Sequence, residues 1–358
     1  MKGKLKIEIY GESHSEEIGV RIYGVPSGES VDAAVLQRFV DRRSSARNEF
    51  STPRRESDFV EIISGISGGV TDGGVICARV KNSNVKKSDY EKIKTVPRPS
   101  HADYCSYIKY GDIPSGGGRF SGRMTLPLCI AGGIASQILS RSGIETAAYV
   151  SEIGGIKGRS YLSGVPSLEE IRAVQGTGFP VWASEEVKEE MREMLRAAAA
   201  AGDSVGGAVE CVIYGMPAGA GGALFDGIEG VVAQTVFAVP AVKGLEFGLG
   251  FGFASAKGSA VNDGYTAGED GGVIQVSNNC GGIYGGISSG APILFRAAFK
   301  PTPSVSVPQK SVNLSTGLNE ELVIRGRHDC CIVLRAAVCV EAAAAIAVYG
   351  VLLAEEKV

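Results

Sequence analysis

The 358-residue chain has three histidines, and each lies in a segment rich in polar residues, glycine or proline. The segments are Gly11-Glu-Ser-His14, Arg98-Pro-Ser-His-Ala-Asp-Tyr104 and Gly326-Arg-His-Asp329. A lone histidine is more often structural than catalytic, but histidine is also the side chain that exchanges protons near neutral pH. Because all three stand near Asp, Glu or Arg in loop-like contexts, we expect at least one to carry a proton in a reaction.

Arginines cluster in one short segment of an otherwise mildly acidic chain with a formal net charge of −3. The members are Arg42, Arg43, Arg47, Arg54 and Arg55. A run of charges is usually a solvated surface. Here no lysine lies between Arg21 and Lys81, and guanidinium groups suit paired contacts to phosphate or carboxylate oxygens. The segment therefore favours a small anionic ligand.

A second set of basic and hydroxyl groups occurs in Gly118-Arg-Phe-Ser-Gly-Arg123 and Lys300-Pro-Thr-Pro-Ser304. If a helix has already begun there, Arg119 and Arg123 lie on one face because they are four residues apart. A helix start with serine and arginine binds anions through N–H donors, the helix dipole and the guanidinium. The residues predict an enzyme for phosphorylated anions, with histidine as the proton carrier.

Fifty glycines include the clusters Gly116-Gly-Gly118, Gly281-Gly282 and Gly285-Gly286. Such clusters serve either tight turns and close sheet packing or backbone N–H groups that hold a phosphate or a flat ring. No dinucleotide-binding or phosphate-loop glycine motif is present in its proper context. Both interpretations of the glycine clusters stay open.

A metal site is not expected. The eight cysteines form no C-x-x-C pair, and His328 beside Cys330 and Cys331 lacks a second pair of ligands. In a chain of this length the spacing is not that of a disulfide framework, so reduced thiols in a cytoplasmic protein are predicted.

Hydrophobic periodicity predicts strands and helices in mixed order. Leu5, Ile7 and Ile9 alternate as in a strand that ends before His14. The further strands expected are 60–66, 74–80 and 205–215. The expected helices run from a cap at Ser30 to about Arg43, over 121–142, after a capping box at Ser167, over 185–201 and 227–238, and from about Arg335 onward. Residues 82–119 are expected to be mostly irregular, and 244–299 to form hairpins and loops.

This order, without regular βαβ alternation, indicates an α+β fold. No linker divides the chain, so one large domain over residues 1–358 is predicted. The apolar run 336–354 contains Glu341 and is expected to be a buried amphipathic helix rather than a membrane span. The N-terminus has no signal-peptide pattern. The negative charge argues against nucleic acid and against an anionic membrane as partners.

The segments named above, taken together and in order, resemble the chorismate synthase family over nearly the full chain. The matching segments are Gly11–His14, Asp41–Arg47, Pro53–Glu56, Arg98–Tyr104, Tyr110–Arg119, Ala241–Glu246, Gly281–Gly290, Lys300–Thr302 and Gly326–Asp329. The resemblance implies a homotetramer whose subunits are β-α-β sandwiches of antiparallel sheets and helices. It also implies a lyase that removes phosphate from 5-enolpyruvylshikimate 3-phosphate by 1,4-anti elimination, with reduced FMN and, in some members, NADPH as reductant.

The resemblance also assigns roles. His14, His101 and Asp329 are expected to be catalytic, with His14 protonating the departing phosphate, His101 near the reduced flavin ring and Asp329 assisting proton removal. Arg43 and Arg47 are expected to bind substrate or NADP. The positions expected to contact FMN are Arg119, Phe120, Ser121, Pro240, Ala241, Gly285, Lys300, Pro301, Thr302, Pro303, Ser304 and Arg327.

Three other functions compete with the lyase as an interpretation of these residues. A flavin- or phosphate-binding protein without catalysis would lose a proton carrier, yet His14 and His101 are both present. A nucleic-acid binder predicts aromatic residues among the arginines of 42–55, where Phe50 stands alone. A phosphatase or other hydrolase needs a metal or nucleophile constellation, which the sequence lacks.

Overall fold

The computed structural model describes residues 5–44, 50, 58–82, 94–268, 271–324 and 329–357.

A four-stranded antiparallel sheet forms from the N-terminal part of the chain. The strands of this part are β1 (Lys6–Gly11), β2 (Glu17–Tyr23), β3 (Ser27–Ser30), β4 (Glu61–Ser64), β5 (Ile66–Ser67), β6 (Val70–Asp72) and β7 (Ile76–Lys81). The sheet has the order β1-β2-β7-β4, and β3, β6 and β5 form a smaller sheet. Ile18, Val20 and Ile22 are all buried, so every second residue of β2 faces the core.

A five-stranded antiparallel sheet forms from the middle of the chain, in the order β11-β16-β10-β8-β9. The remaining strands pair as the hairpins β12-β13, β14-β15 and β17-β18. The strands are β8 (Glu145–Ile153), β9 (Ile156–Lys157), β10 (Gly207–Tyr214), β11 (Val242–Phe247), β12 (Tyr265–Ala267), β13 (Val273–Gln275), β14 (Ile283–Tyr284), β15 (Ile287–Ser288), β16 (Ile293–Phe299), β17 (Gln309–Val312) and β18 (Asn319–Leu322).

The described part of the chain has eight α-helices, of which two, α3 and α8, lie between the two large sheets. The eight are α1 (Ala33–Asp41), α2 (Asp103–Tyr110), α3 (Thr125–Arg141), α4 (Leu168–Gln175), α5 (Glu185–Ala201), α6 (Ile228–Val236), α7 (Gly258–Val261) and α8 (Val333–Ala354). Helix α3 packs against β2 of the first sheet and against α8, and α8 packs against β8 and β10 of the second. One hydrophobic core joins residues of both sheets and both helices. The predicted α+β fold with a β-α-β sandwich is confirmed.

Several element boundaries differ from the sequence-based predictions. Asp32, not Ser30, caps α1: its Oδ1 accepts hydrogen bonds from the backbone N–H of Ala34 and Val35 at 2.7 and 3.0 Å. Ser30 instead ends β3. The prediction of an irregular segment is wrong at α2, which lies within 82–119. By contrast, the capping box at Ser167 and the end of α5 are confirmed.

Helix α8 is long and apolar enough to cross a membrane, and it is the one helix of the described residues that passes this test. It is buried almost completely inside the protein, and only Arg335 and Ala354 escape full burial. The prediction of a buried helix is confirmed, but the prediction that it is amphipathic is wrong. A helix that is apolar on all sides fits this position because it has α3, α6 and a sheet around it.

The contact between α3 and α8 depends on Gly132. A Cβ atom at this position would lie 2.3 Å from the Cβ of Ala342 and 2.4 Å from its Cα. Both helices bring backbone to the contact, so neither can yield by rotating a side chain. Gly132 therefore sets the distance between the two central helices.

Replacing Gly132 by alanine is expected to lower the free energy of unfolding by about 1–3 kcal/mol, as overpacking of a core typically does. Gly230 in α6 provides a matched control because a Cβ there meets nothing within 4 Å. Gly230→Ala should leave stability unchanged or raise it by about 0.4–1 kcal/mol through the loss of unfolded-chain entropy. Denaturant unfolding of the two variants measures the difference, and equal stabilities would contradict the role given to Gly132.

Candidate functional site

Three consecutive glycines form a turn that brings two of the predicted histidines to one place. Gly116, Gly117 and Gly118 have φ values of 61°, 87° and 51°, a left-handed conformation that glycine adopts without steric cost. A Cβ at Gly116 would lie 1.9 Å from Cε1 of His14, and a Cβ at Gly117 would lie 3.4 Å from Nε2 of His101. The two imidazole rings thus lie against neighbouring residues of the same turn.

His14 follows the end of β1, and its ring is held by the preceding residue. The Oγ of Ser13 lies 2.9 Å from Nδ1 of His14 and also donates to the carbonyl oxygen of Gly116 at 3.3 Å. Ser15 closes the loop, since its Oγ accepts from the N–H of Glu12 at 2.8 Å. The loop between β1 and β2 therefore fixes the ring of His14 against the glycine turn.

His101 belongs to a buried charged group at the start of α2. Its Nδ1 lies 2.6 Å from Oδ1 of Asp103, whose side chain is 0% exposed. Arg98 donates from Nε to Oδ2 and from Nη2 to Oδ1 of the same carboxylate, at 2.6 and 2.8 Å. Burial opposes ionisation of Asp103, but the hydrogen bonds from Arg98 and His101 outweigh it and hold the pKa of this carboxyl well below its usual range.

The second sheet contributes to the surroundings of His101 through residues 300–304, which follow β16. Arg98 donates from Nη1 to Oγ of Ser304 at 3.3 Å, and Lys300 donates from Nζ to the carbonyl oxygen of Ser100. The backbone N–H of Lys300 donates to the carbonyl of Ala241 at 3.0 Å. Burial, with a smaller effect from nearby Lys243, lowers the pKa of the Lys300 amine. Residues predicted from distant segments therefore meet beside His101.

Other predicted residues lie in the same region with partners of their own. Arg119 lies 3.4 Å from Glu12 and stacks over the ring of Tyr110 at 4.8 Å, and Phe120 packs against the same tyrosine with ring centroids 6.4 Å apart. The helix α3 begins only at Thr125. The condition for Arg119 and Arg123 to share a helix face is therefore not met, because they lie in two separate 3-10 turns with Ser121 extended between them.

The arginines of the 42–55 segment that the structure describes are bound internally. Arg42 makes a two-point ion pair with Glu341, at 2.7 and 2.9 Å. Arg43 is 4% exposed and donates to Thr125 at 2.7 Å and to Asp58 at 3.4 Å. The substrate or NADP contact expected of Arg43 stays a prediction. Arg47, Arg54 and Arg55 lie outside the described residues.

Asp329 is connected with Arg43 through Arg335. Its carboxylate pairs with Arg335 at 2.7 Å, and Nε of Arg335 donates to the carbonyl of Arg43 at 2.9 Å. Arg123 binds the other oxygen of Asp58. A chain of contacts thus connects Asp329, through Arg335, Arg43 and Asp58, with the segment that follows the glycine turn. Arg327 and His328 lie outside the described residues.

The remaining predicted residues divide into two sets. The carbonyl of Thr302 accepts from Ser204 at 2.7 Å, and Pro301 packs near Gly206, so both stand by the end of β16. Pro301–Ser304 form one continuous segment there, and Pro240 precedes Ala241 at the start of β11. Gly285 lies in the turn between β14 and β15, where a Cβ atom would meet nothing within 4 Å.

Arg98 and Asp103 were not among the residues predicted to act at the site. The signal was present, since Asp103 follows His101 by two residues within a segment already singled out. Spacing alone could not show that the carboxylate turns back onto the ring, because that depends on where α2 begins. Among the described residues, no group of His, Cys, Asp or Glu is arranged to hold a metal ion.

Comparisons with known proteins identify the family of the chain. A family model described as chorismate synthase matches residues 5–353. The chain is 44% identical over 346 residues to the chorismate synthase of Dehalococcoides mccartyi strain BAV1, covering 95% of this chain and 93% of that protein. It is 42% identical over 356 residues to that of Thermococcus kodakarensis, covering 99% and 97%.

A solved structure described as a crystal structure of chorismate synthase superimposes with a TM-score of 0.74 and 26% identity, over 98% of this chain and 92% of that one. Sequence, family model and fold therefore agree over nearly the whole length. The chain belongs to the chorismate synthase family and is a carbon–oxygen lyase of that family.

Proposed function

We propose that this site removes the 3-phosphate and a C6 hydrogen from 5-enolpyruvylshikimate 3-phosphate to give chorismate, with reduced FMN as cofactor. The observation that carries the proposal is the meeting of His14 and His101 on the Gly116–Gly118 turn. Two proton-carrying rings side by side suit an elimination in which one group leaves as an anion and a proton is taken elsewhere. Family membership favours this substrate over other phosphorylated anions.

In this proposal His14 donates a proton to the departing phosphate. Its ring is held by Ser13, so its orientation is set before substrate arrives. His101 holds or takes up a proton near the cofactor, and Asp329 assists removal of the C6 hydrogen. Arg43 and Arg47 are the proposed contacts to substrate or NADP. When bound, reduced FMN would lend electron density that helps the C–O bond to break and would regain it afterwards, so the reaction has no net redox change.

The residues around the histidines suit a flavin phosphate and ring. The hydroxyls of Ser115 and Thr302 are buried without a hydrogen-bond partner in the described part of the chain, and such groups normally have one. Lys300, two residues before Thr302, adds a cationic group that contacts the carbonyl oxygen of Ser100. We propose that FMN is held by Lys300, Thr302, Ser304, Arg119 and Ser121, with the flanking positions Phe120, Pro240, Ala241, Gly285, Pro301, Pro303 and Arg327.

The proposal extends to assembly and location. We propose one catalytic domain, a homotetramer and a cytoplasmic enzyme. NADPH or an external reductant supplies the electrons for the flavin. Large apolar side chains are exposed on the described surface at Leu224, Phe225 and Phe251, which are 88, 97 and 83% exposed. Apolar groups this exposed are typical of a surface that contacts another subunit, and they support the homotetramer.

An anaerobic assay with 5-enolpyruvylshikimate 3-phosphate and chemically reduced FMN tests the function. We expect chorismate and phosphate to appear in equal amounts without net oxidation of the flavin. FMN binding is measured separately by fluorescence quenching. Binding of FMN without either product would contradict the lyase proposal and favour a non-catalytic flavin-binding protein. Turnover without added flavin would contradict the cofactor assignment.

A further inference from the structure

We propose that Asp103, itself oriented by Arg98, fixes His101 in the tautomer that carries its proton on Nδ1 and presents Nε2 to the site. Asp103 and Arg98 would then be positioning residues for the reaction. This inference rests on the proposed function for the part that His101 plays. It adds which atom of the ring meets the reacting groups, and what holds that atom there.

The first argument is the chemistry of the carboxylate. Asp103 is fully buried and ionised, so both oxygens can only accept hydrogen bonds. Nδ1 of His101 lies 2.6 Å from Oδ1. Nη2 of Arg98 also lies 3.1 Å from Nδ1, but it donates to Oδ1 of Asp103 at the shorter distance of 2.8 Å. Two lone pairs on Nδ1 and Oδ1 would repel each other at 2.6 Å, so Nδ1 carries the hydrogen that joins them. In neutral imidazole the other nitrogen is then the acceptor.

The second argument is the direction of the ring. Nε2 of His101 lies on the side of Gly117, 3.4 Å from where that residue's Cβ would be. A glycine without a side chain leaves this edge of the ring accessible, and the side chain of His101 keeps 15% of its surface exposed. Nδ1 faces the buried carboxylate, whereas Nε2 faces the turn that also contacts His14. The charged groups around the ring are Arg98 and Asp103, with Lys300 behind Ser100.

The third argument is what Arg98 does to the carboxylate. The backbone N–H and Nε of Arg98 both donate to Oδ2 of Asp103, at 3.1 and 2.6 Å. Only Nη2 of Arg98 donates to Oδ1, at 2.8 Å, beside His101. In Asp103→Asn, the side-chain NH₂ is itself a donor and is repelled by other donors. At the Oδ2 position it would meet two donors of Arg98, whereas at the Oδ1 position it would meet only one. The amide NH₂ should therefore take the Oδ1 position and donate to Nδ1, which moves the ring proton to Nε2.

Nitrogen NMR of the protein with ¹⁵N-labelled histidine tests the tautomer directly, since protonated and unprotonated ring nitrogens differ in chemical shift. The chain has three histidines, and His101→Ala identifies the signals of His101. We expect the proton on Nδ1 in the native protein and on Nε2 in Asp103→Asn. We also expect Asp103→Asn to lower kcat by roughly 10⁴-fold, as the same change does to the buried aspartate of serine proteases, with little change in KM or in FMN binding.

Asp112→Asn provides a matched control because Asp112 is exposed just after α2. The control removes the same charge and should keep the native tautomer and turnover. A native ring with a hydrogen on Nε2 and none on Nδ1 would overturn the proposal, and this measurement needs no Asp103 variant to fold. Normal kcat in Asp103→Asn despite a changed tautomer would also overturn it. If the tautomer changes as expected but the native protein makes no chorismate, the proposed function fails while the positioning of His101 stands.

Discussion

Replacing Gly116 by alanine is expected to lower turnover by roughly 10²–10⁴-fold, the usual contribution of a general acid. The new Cβ would overlap the ring of His14, 1.9 Å from its Cε1, and the backbone φ of 61° is itself unfavourable for alanine. The ring must leave the position that Ser13 gives it. Steady-state turnover with saturating substrate and reduced FMN measures the effect, and FMN affinity should change little.

Gly111→Ala separates the overlap from the backbone strain. Gly111 has φ of 85° and ends α2, and a Cβ there meets nothing within 4 Å. Both variants carry the cost of a left-handed alanine, about 1–2 kcal/mol, but only Gly116→Ala moves His14. Near-native turnover in both variants would show that His14 does not act from this position. Combining Gly116→Ala with His14→Ala should add little to either change alone, since residues that act as a unit are not additive.

Removal of the Glu341 carboxylate by Glu341→Ala is expected to lower the free energy of unfolding by about 3–5 kcal/mol. Glu341 lies within α8 and accepts two hydrogen bonds from Arg42. It also accepts from the backbone N–H of Ala148 at 3.0 Å and from Gln175 at 2.7 Å. The substitution leaves a largely buried guanidinium without its counter-charge and two further donors without an acceptor. Guanidinium-chloride unfolding gives the change.

Glu189 is the control for this prediction because it is also a helical glutamate paired with arginine. Its partners Arg192 and Arg196 lie on the surface of α5, where ion pairs contribute little. Glu189→Ala should therefore change stability far less than Glu341→Ala. In the double variant of Arg42 and Glu341 the loss should be smaller than the sum of the single losses, because no buried charge is left alone. Additive losses would contradict the pairing.

Elements with a strong local pattern could be predicted from the sequence. Helix α5 has Ser184 at its N-cap and Gly202 after its last turn, and both boundaries were predicted because the signals are local. The start of α1 was misplaced because Ser30 and Asp32 are both good caps, and only pairing of β3 with β6 decides between them. The helix α2 was missed because three prolines obscured a short pattern between them.

The site residues also divide into features that the local sequence predicts and contacts that it does not. The sequence indicates that the glycine turn is a place of close approach. It does not show that His14 and His101 are the side chains that approach the turn. Arg42 looked like part of an anion-binding surface, since its partner Glu341 lies 299 residues further along the chain. The partner of Asp103 was only two residues away. Sequence spacing identifies residue types suited to the chemistry, whereas their partners depend on tertiary contacts that no local pattern records.

The burial of α8 bears on how the chain folds as it is made. Synthesis proceeds from the N-terminus, so α3 and the strands β8 and β10 leave the ribosome before α8 does, although α8 covers their apolar faces. A nascent chain that has reached residue 332 contains both large sheets but lacks the helix that joins them. Exposed apolar surface of this kind promotes aggregation and binds chaperones. Closure of the core must therefore wait until α8 has left the ribosome.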